Sequence, residues 1–123
     1  MKALLDAIYT EWSHATLPLY FAKVPETRES PYCVYHLINA MPEYTFSSMD
    51  ENVEIQFTVI GDSGDDVLGY LNDVQQIYDD CKLTVTGYEF VKMERGLLSS
   101  FRYNENRTWQ GIITYEAIIH KAL

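Results

Sequence analysis

A chain of 123 residues is long enough to bury roughly two thirds of its unfolded surface around one core, so residues 1–123 are expected to form a single domain without disulfides or metals. Apolar residues make up 47% of the chain and charged ones 22%, which excludes a disordered composition, and a net charge of −9 argues against gripping nucleic acid by its phosphates. No run of about eighteen apolar residues is available to span a bilayer, and the first twenty residues, with an acid at Asp6, do not read as a secretory signal. The reading is a soluble, cytoplasmic protein with no membrane partner.

The charge is unevenly spread. Residues 1–80 carry three bases (Lys2, Lys23, Arg28) against fourteen acids, whereas residues 81–123 carry six bases against four acids. Either an acidic surface of one copy meets a more basic surface of the next, which favours head-to-tail rings, or the asymmetry is uneven sampling of a solvated surface. Cys33 and Cys81 form no CxxC pair and read as small core hydrophobes.

In chain order, Leu4, Leu5, Ile8, Trp12 and Ala15 follow the spacing of an amphipathic helix over Lys2–Ala15, which Pro18 prevents from continuing. Residues 17–24 suggest a short strand, and the segment 25–31, bounded by two prolines, an exposed loop. Tyr32 to Asn39 alternate as a strand that ends before Pro42. Residues 40–52 read as a connection with a small extended piece around Tyr44–Phe46. Val53 to Ile60 alternate cleanly, with Val53, Ile55, Phe57 and Val59 on one face, and a hairpin with 32–39 is the natural pairing.

The stretch GDSGDD at 61–66 crowds three carboxylates but lacks the further ligands and closing Glu of a calcium loop; Ser63 instead reads as a helix cap with Asp66 three residues later. The stripe Val67, Leu71, Val74, Tyr78 and Cys81, widened by Leu68 and Ile77, then defines a second helix of about four turns. Asp79 and Asp80 near its end oppose the helix dipole, so they are either solvated, the simpler reading, or facing a partner's cation. Strands are expected at 82–85 and 88–94 with a break at Gly87, and 97–103 can continue the second past Gly96. Asn104–Arg107 forms a turn. Trp109 to His120 closes the chain with branched apolar groups on both faces, which suits a central strand that needs pairing partners and a covering helix. The fold class is α+β, one mainly antiparallel sheet with two amphipathic helices packed on it.

No catalytic constellation stands out. His14, His36 and His120 have no Cys or His at ligand spacing, so no metal site is expected; nucleophile-elbow, phosphate-loop and zinc-helix motifs are missing, and no cofactor is implied. Adjacent carboxylates such as Asp65 and Asp66 diverge by about a hundred degrees on a helix instead of converging on a substrate. Ten tyrosines are many for this length, and Tyr44, Tyr103 and Trp109, which flank loops, are candidates for a protein contact.

Three segments in their order and spacing, PYCVYHL at 31–37, VEIQFTVIG at 53–61 and WQGIITYEAII at 109–119, with the helix DDVLGYLNDVQQIYDDCKL between the last two, resemble the tail-completion or tail-terminator proteins of long-tailed bacteriophages. The resemblance covers nearly the whole chain. It implies a non-enzymatic protein of the phage neck, located in the virion after assembly in the host cytoplasm. Such proteins assemble as homo-oligomeric rings, usually hexamers, that cap the tail tube protein and meet the head-completion or connector protein, while DNA passes through without specific binding. Under that reading the 40–52 segment, with Tyr44, Asp50 and Glu51, and the 103–108 turn, with Tyr103, Arg107 and neighbouring Arg102 and Trp109, are the ring-forming or tube-contacting regions, Arg102 and Arg107 pairing with acids of a neighbour. The alternatives are another head–tail connector or head-completion protein, or a small α+β ligand binder or enzyme; the last requires a deep pocket with His36 or His120 beside a carboxylate.

Overall fold

The computed structural model describes residues 2–14, 16–23, 29, 31–44, 48–103 and 108–122, with side chains outside 39–44, 48–49, 90, 97–103 and 121–122. Its elements run α1 (Lys2–Glu11), β1 (Leu19–Phe21), β2 (Tyr32–Tyr44), β3 (Ser48–Gly61), α2 (Gly64–Tyr78), β4 (Lys82–Leu83), β5 (Phe90–Tyr103) and β6 (Trp109–Ala122). One six-stranded sheet in the order β1-β2-β3-β6-β5-β4 carries both helices on one face. Only β1, which lies parallel to β2, departs from antiparallel pairing. The α+β class with two amphipathic helices is as the sequence indicates, and β6 sits at the centre as its two apolar faces require.

Local chemistry sets the helix ends. Ser63, extended at φ −134°, accepts the Asp66 amide at 3.1 Å, the expected N-cap, and Asp65 and Asp66 lie where the helix dipole favours acids. At the other end Asp80 takes a left-handed φ of 54°, the conformation that closes a helix and that Asp tolerates better than most residues. α1 is shorter than its apolar spacing suggests, because the chain folds back after Glu11: the Trp12 indole donates to the Leu17 carbonyl at 2.8 Å, and His14 Nδ1 accepts the Leu17 amide at 3.1 Å.

The strands are longer than local alternation implies. β2 runs on through Pro42 to Tyr44, and residues 48–52, expected as part of a connection, form the first turn-proximal length of β3. Pro42 fits because β1 pairs only with Cys33–Tyr35 and leaves the rest of β2 at the sheet edge. A bulge between Leu37 and Asn39 shifts the alternation so that Ala40, Pro42 and Tyr44 turn their backbone groups outward, where a missing N–H costs no ladder bond. Residues 90–103 form one continuous strand, with 97–103 continuing past Gly96 as the sequence allows, and absorb Gly96 in one of two bulges. The break at Gly87 is real: its φ of 92° serves the turn in which the Tyr88 amide reaches the Val85 carbonyl at 3.1 Å. Val85 itself lies outside a strand, and β1 is cut to three residues, with Ala22 at φ 60° following.

The core lies between helices and sheet. Leu4 and Ile8 of α1 and Val67, Leu71, Val74 and Tyr78 of α2 pack on Cys33 and Tyr35 of β2, the Val53–Val59 face of β3, Val91 and Met93 of β5, and Ile113, Tyr115, Ala117 and Ile119 of β6. Leu68, counted with the apolar stripe of α2, is 49% exposed, since it lies beyond the part of the helix that touches the sheet. Burial pushes the phenols of Tyr78 and Tyr115 far above the ordinary tyrosine range, helped at Tyr115 by its bond to the Asp79 carboxylate, and it raises the Cys33 thiol likewise.

Two predictions concern this core. A Cβ on Gly111 would lie 2.5 Å from Leu71 Cδ1 and 3.0 Å from Val67 Cγ1, so Gly111→Ala is expected to lower unfolding stability by about 1–3 kcal/mol in urea melts. A phenol whose folded pKa is raised stabilises the fold below its unfolded pKa, and that contribution is lost as pH climbs above it. Stability should therefore fall steeply above about pH 10, with phenolate absorbance of Tyr78 and Tyr115 emerging only with unfolding.

Candidate interaction surfaces

The long hairpins β2–β3 and β5–β6 point their tips to opposite ends of the sheet, because β3 and β6 pair from Ser48↔Ala122 to Gly61↔Trp109. Tyr44, opposite Met49 in register, and Asp50 and Glu51 therefore lie at one end, while Arg102, Tyr103 and Trp109 lie at the other. Arg107 falls outside the described residues. Asp50 and Trp109, the latter paired with Gly61, are eleven strand steps apart, roughly 36 Å at 3.3 Å per residue. The candidate contact residues thus divide into two separate end surfaces. Trp109 is half-buried against the core and Asp50 is held within the chain, whereas Glu51 is half-exposed.

At the first end His120 joins two carboxylates. Its Nδ1 lies 2.6 Å from Asp50 and its Nε2 3.2 Å from Glu89, whose amide also donates to the His120 carbonyl at 3.0 Å. A neutral imidazole has one N–H and satisfies one of these acceptors; the imidazolium satisfies both. His14 is used differently. Its Nδ1 accepts the Thr16 and Leu17 amides, so its proton sits on Nε2 and is donated to Asp73 at 2.7 Å, pinning the α1–β1 connection to α2. Both nitrogens of each ring are occupied, so neither offers a free lone pair to a substrate.

A groove of about 570 Å³ between the end of α1 and α2 is lined by Glu11, Ser13, His14, Thr16, Asp73, Gln76 and Ile77. It holds neither His36 nor His120, and among the described residues no His, Cys, Asp and Glu group is arranged to hold a metal. Asp80 is solvated, its side chain 83% exposed and 3.9 Å from Lys92 Nζ, whereas Asp79 has partners inside the chain: it accepts the Tyr115 hydroxyl at 2.6 Å and lies 3.8 Å from Arg95 Nε. Sequence reading missed these because the pairing strands are far along the chain.

The face of the sheet opposite the helices has no second layer among the described residues. It is half-buried and mixed, with Val34, Thr58, Ile112, Thr114 and Ile118 beside charged groups. Across it Glu54, Glu116 and Glu94 stand directly opposite one another on β3, β6 and β5. Lys92 approaches Glu94 at 3.4 Å, but among the described residues Glu54 and Glu116 have no cationic partner. Like charges in such a cross-strand row are destabilising, and the row is invisible until the register is known. Glu116→Gln is expected to raise stability by about 0.2–1 kcal/mol in thermal or urea melts, the gain shrinking as salt screens the repulsion.

Comparison with known proteins gives one kind of match. No family model and no curated protein sequence matches this chain. Among solved structures, a chain of the virion of a native gene transfer agent (GTA) particle superposes with a TM-score of 0.84 at 14% sequence identity, covering 97% of this chain and 96% of that one. At that identity the likeness establishes a shared fold over essentially the full length of both chains.

Proposed function

We propose that this chain is a structural subunit of a phage-like particle and acts as its tail terminator. The observation that carries the reading is the end-to-end match in fold to a chain of a gene transfer agent virion. The order and spacing of the segments at 31–37, 53–61 and 109–119, which resemble tail-completion proteins, favour the neck over other positions in such a particle.

In this reading copies of the chain close into a ring, usually of six. One end of the ring meets the last turn of the tail tube protein and the other the head-completion or connector protein. The division of polar and aromatic residues between two ends of the sheet suits a subunit with two axial partners: Tyr44, Asp50 and Glu51 on one side, Arg102, Tyr103 and Trp109 on the other. The work is geometric. A closed ring stops tube growth by offering no further tube-like surface, and a chain of net charge −9 lets DNA pass without holding its phosphates. No step of this function needs a catalytic residue or cofactor.

The reading is tested by location and mass. Antibody raised against the chain should label the head–tail junction of particles made by its parent genome, and light scattering should give the purified chain a discrete ring mass across a concentration series. Labelling of the head surface, or particles that lack the chain, would overturn it.

A further inference from the structure

We infer that copies of this chain join head to tail by pairing the open edge of β2 in one copy with the open edge of β5 in the next. The inference rests on the ring reading above for its biological setting, but on strand pairing for its geometry. β1 covers β2 only at Cys33–Tyr35, and β4 covers β5 only at Val91 and Lys92, with the Met93 amide reaching the Cys81 carbonyl. Among the described residues nothing pairs with the outer side of 36–44 or of 94–103. Two nearly equal lengths of backbone, nine and ten residues, thus present unpaired N–H and C=O groups on opposite edges of one sheet.

The two open lengths fit each other. β2 and β5 run in opposite directions, so two copies in the same orientation bring them together antiparallel. Ala40, the middle of the open β2 edge, lies on the row of Val53 and Ala117, and Leu98, the outward residue at the middle of the open β5 edge, on the row of Ile113. The open lengths are therefore offset diagonally by four residues, roughly 13 Å along the strands. In a closed ring such an offset appears as a tilt of the strands against the ring axis, as in any closed sheet.

Closure and blunting decide between possible partners. Ala40 faces outward and so meets an outward residue of β5; centring it on Leu98 brings Leu37 opposite Phe101, outward as well. Pairing β5 with β5 would leave both β2 edges bare. Pairing β2 with β2 would meet the missing amide of Pro42 twice and leave both β5 edges bare. The bulges at 37–39 and 95–98, together with Pro42, restrict the usable registers, which keeps the edges from templating indiscriminate aggregation. Leu37 and Ile38, 37% and 46% exposed in the single chain, lie at the start of the β2 edge and become covered on pairing.

The test removes one outward amide from each edge. Ala40→Pro and Leu98→Pro each delete an N–H that faces away from the sheet, so the subunit keeps its internal ladder. Each variant alone should shift from the ring mass to the monomer mass in light scattering. Mixed together they should form a dimer and nothing larger, because only the β5 edge of Ala40→Pro and the β2 edge of Leu98→Pro remain to meet. In the wild type, hydrogen exchange at the outward amides of Leu37, Ala40, Leu98 and Phe101 should slow as concentration drives assembly, which tests the pairing without any variant. A ring that persists in either variant, or that forms while those amides exchange freely, overturns the edge pairing and leaves the ring standing. A wild type that stays monomeric at every concentration overturns both.

Discussion

The fold turns on Tyr78. Its ring lies in the floor of the core, stacked on Phe57 of β3 at 4.8 Å and tilted against Tyr115 of β6 at 6.0 Å, and its hydroxyl donates to the Ile8 carbonyl at 2.5 Å. One side chain of α2 thereby fixes the helix to two central strands and to α1. A buried phenol without a partner is costly, so the Ile8 carbonyl, near the end of a short helix where carbonyls lack amide partners, completes both groups at once. Tyr35 likewise donates to the Leu5 carbonyl inside α1 at 3.1 Å, and Tyr115 to the Asp79 carboxylate. The abundance of tyrosine is explained in part by this need for large core side chains with a polar tip that reaches a partner on a helix.

That arrangement uses one face of the sheet and one half of each edge. The helices bury the odd-numbered positions of β3 and β6, while among the described residues the opposite face has no second layer and carries a row of glutamates in which Glu94 alone meets a cation, Lys92. Short β1 and β4 cover the sheet edges only where α1 and the end of α2 bring them in. What remains open is backbone and acid at the periphery, features that weaken a lone subunit and are tolerated more readily in one that lives inside an assembly. Both histidine–carboxylate contacts belong to this architecture: His14 ties a connection down, and His120 ties β3, β6 and the approach to β5 together.

The candidate contact residues illustrate the limits of reading along the chain. Polarity and aromatic content near expected turns singled out Tyr44, Asp50, Glu51, Arg102, Tyr103, Arg107 and Trp109, and all but Arg107, which lies outside the described residues, fall toward the ends of the paired strands. Their separation onto opposite ends of the sheet, the bond from Asp50 to His120, and the packing of Trp109 on the core follow from the β3–β6 pairing, which joins residues 48 to 74 positions apart. Likewise Asp79 and Asp80 are correctly seen as anomalous at a helix end, but their partners, Tyr115, Arg95 and Lys92, come from strands that local periodicity cannot place.

Whatever depends on side-chain period was available from the sequence alone: two helices of the 3.6-residue kind, the strands with alternating or doubly apolar character, the Ser63 cap and the central place of β6. These are properties of a residue and its near neighbours. The tertiary structure alone decided where strands stop, since β2 and β3 extend past Pro42 and through 48–52 only because each supplies the other's hydrogen bonds. It alone decided the parallel β1, the bulges and the three opposed glutamates, because register is a relation between distant segments, and a one-residue slip exchanges the faces of a strand without altering its pattern.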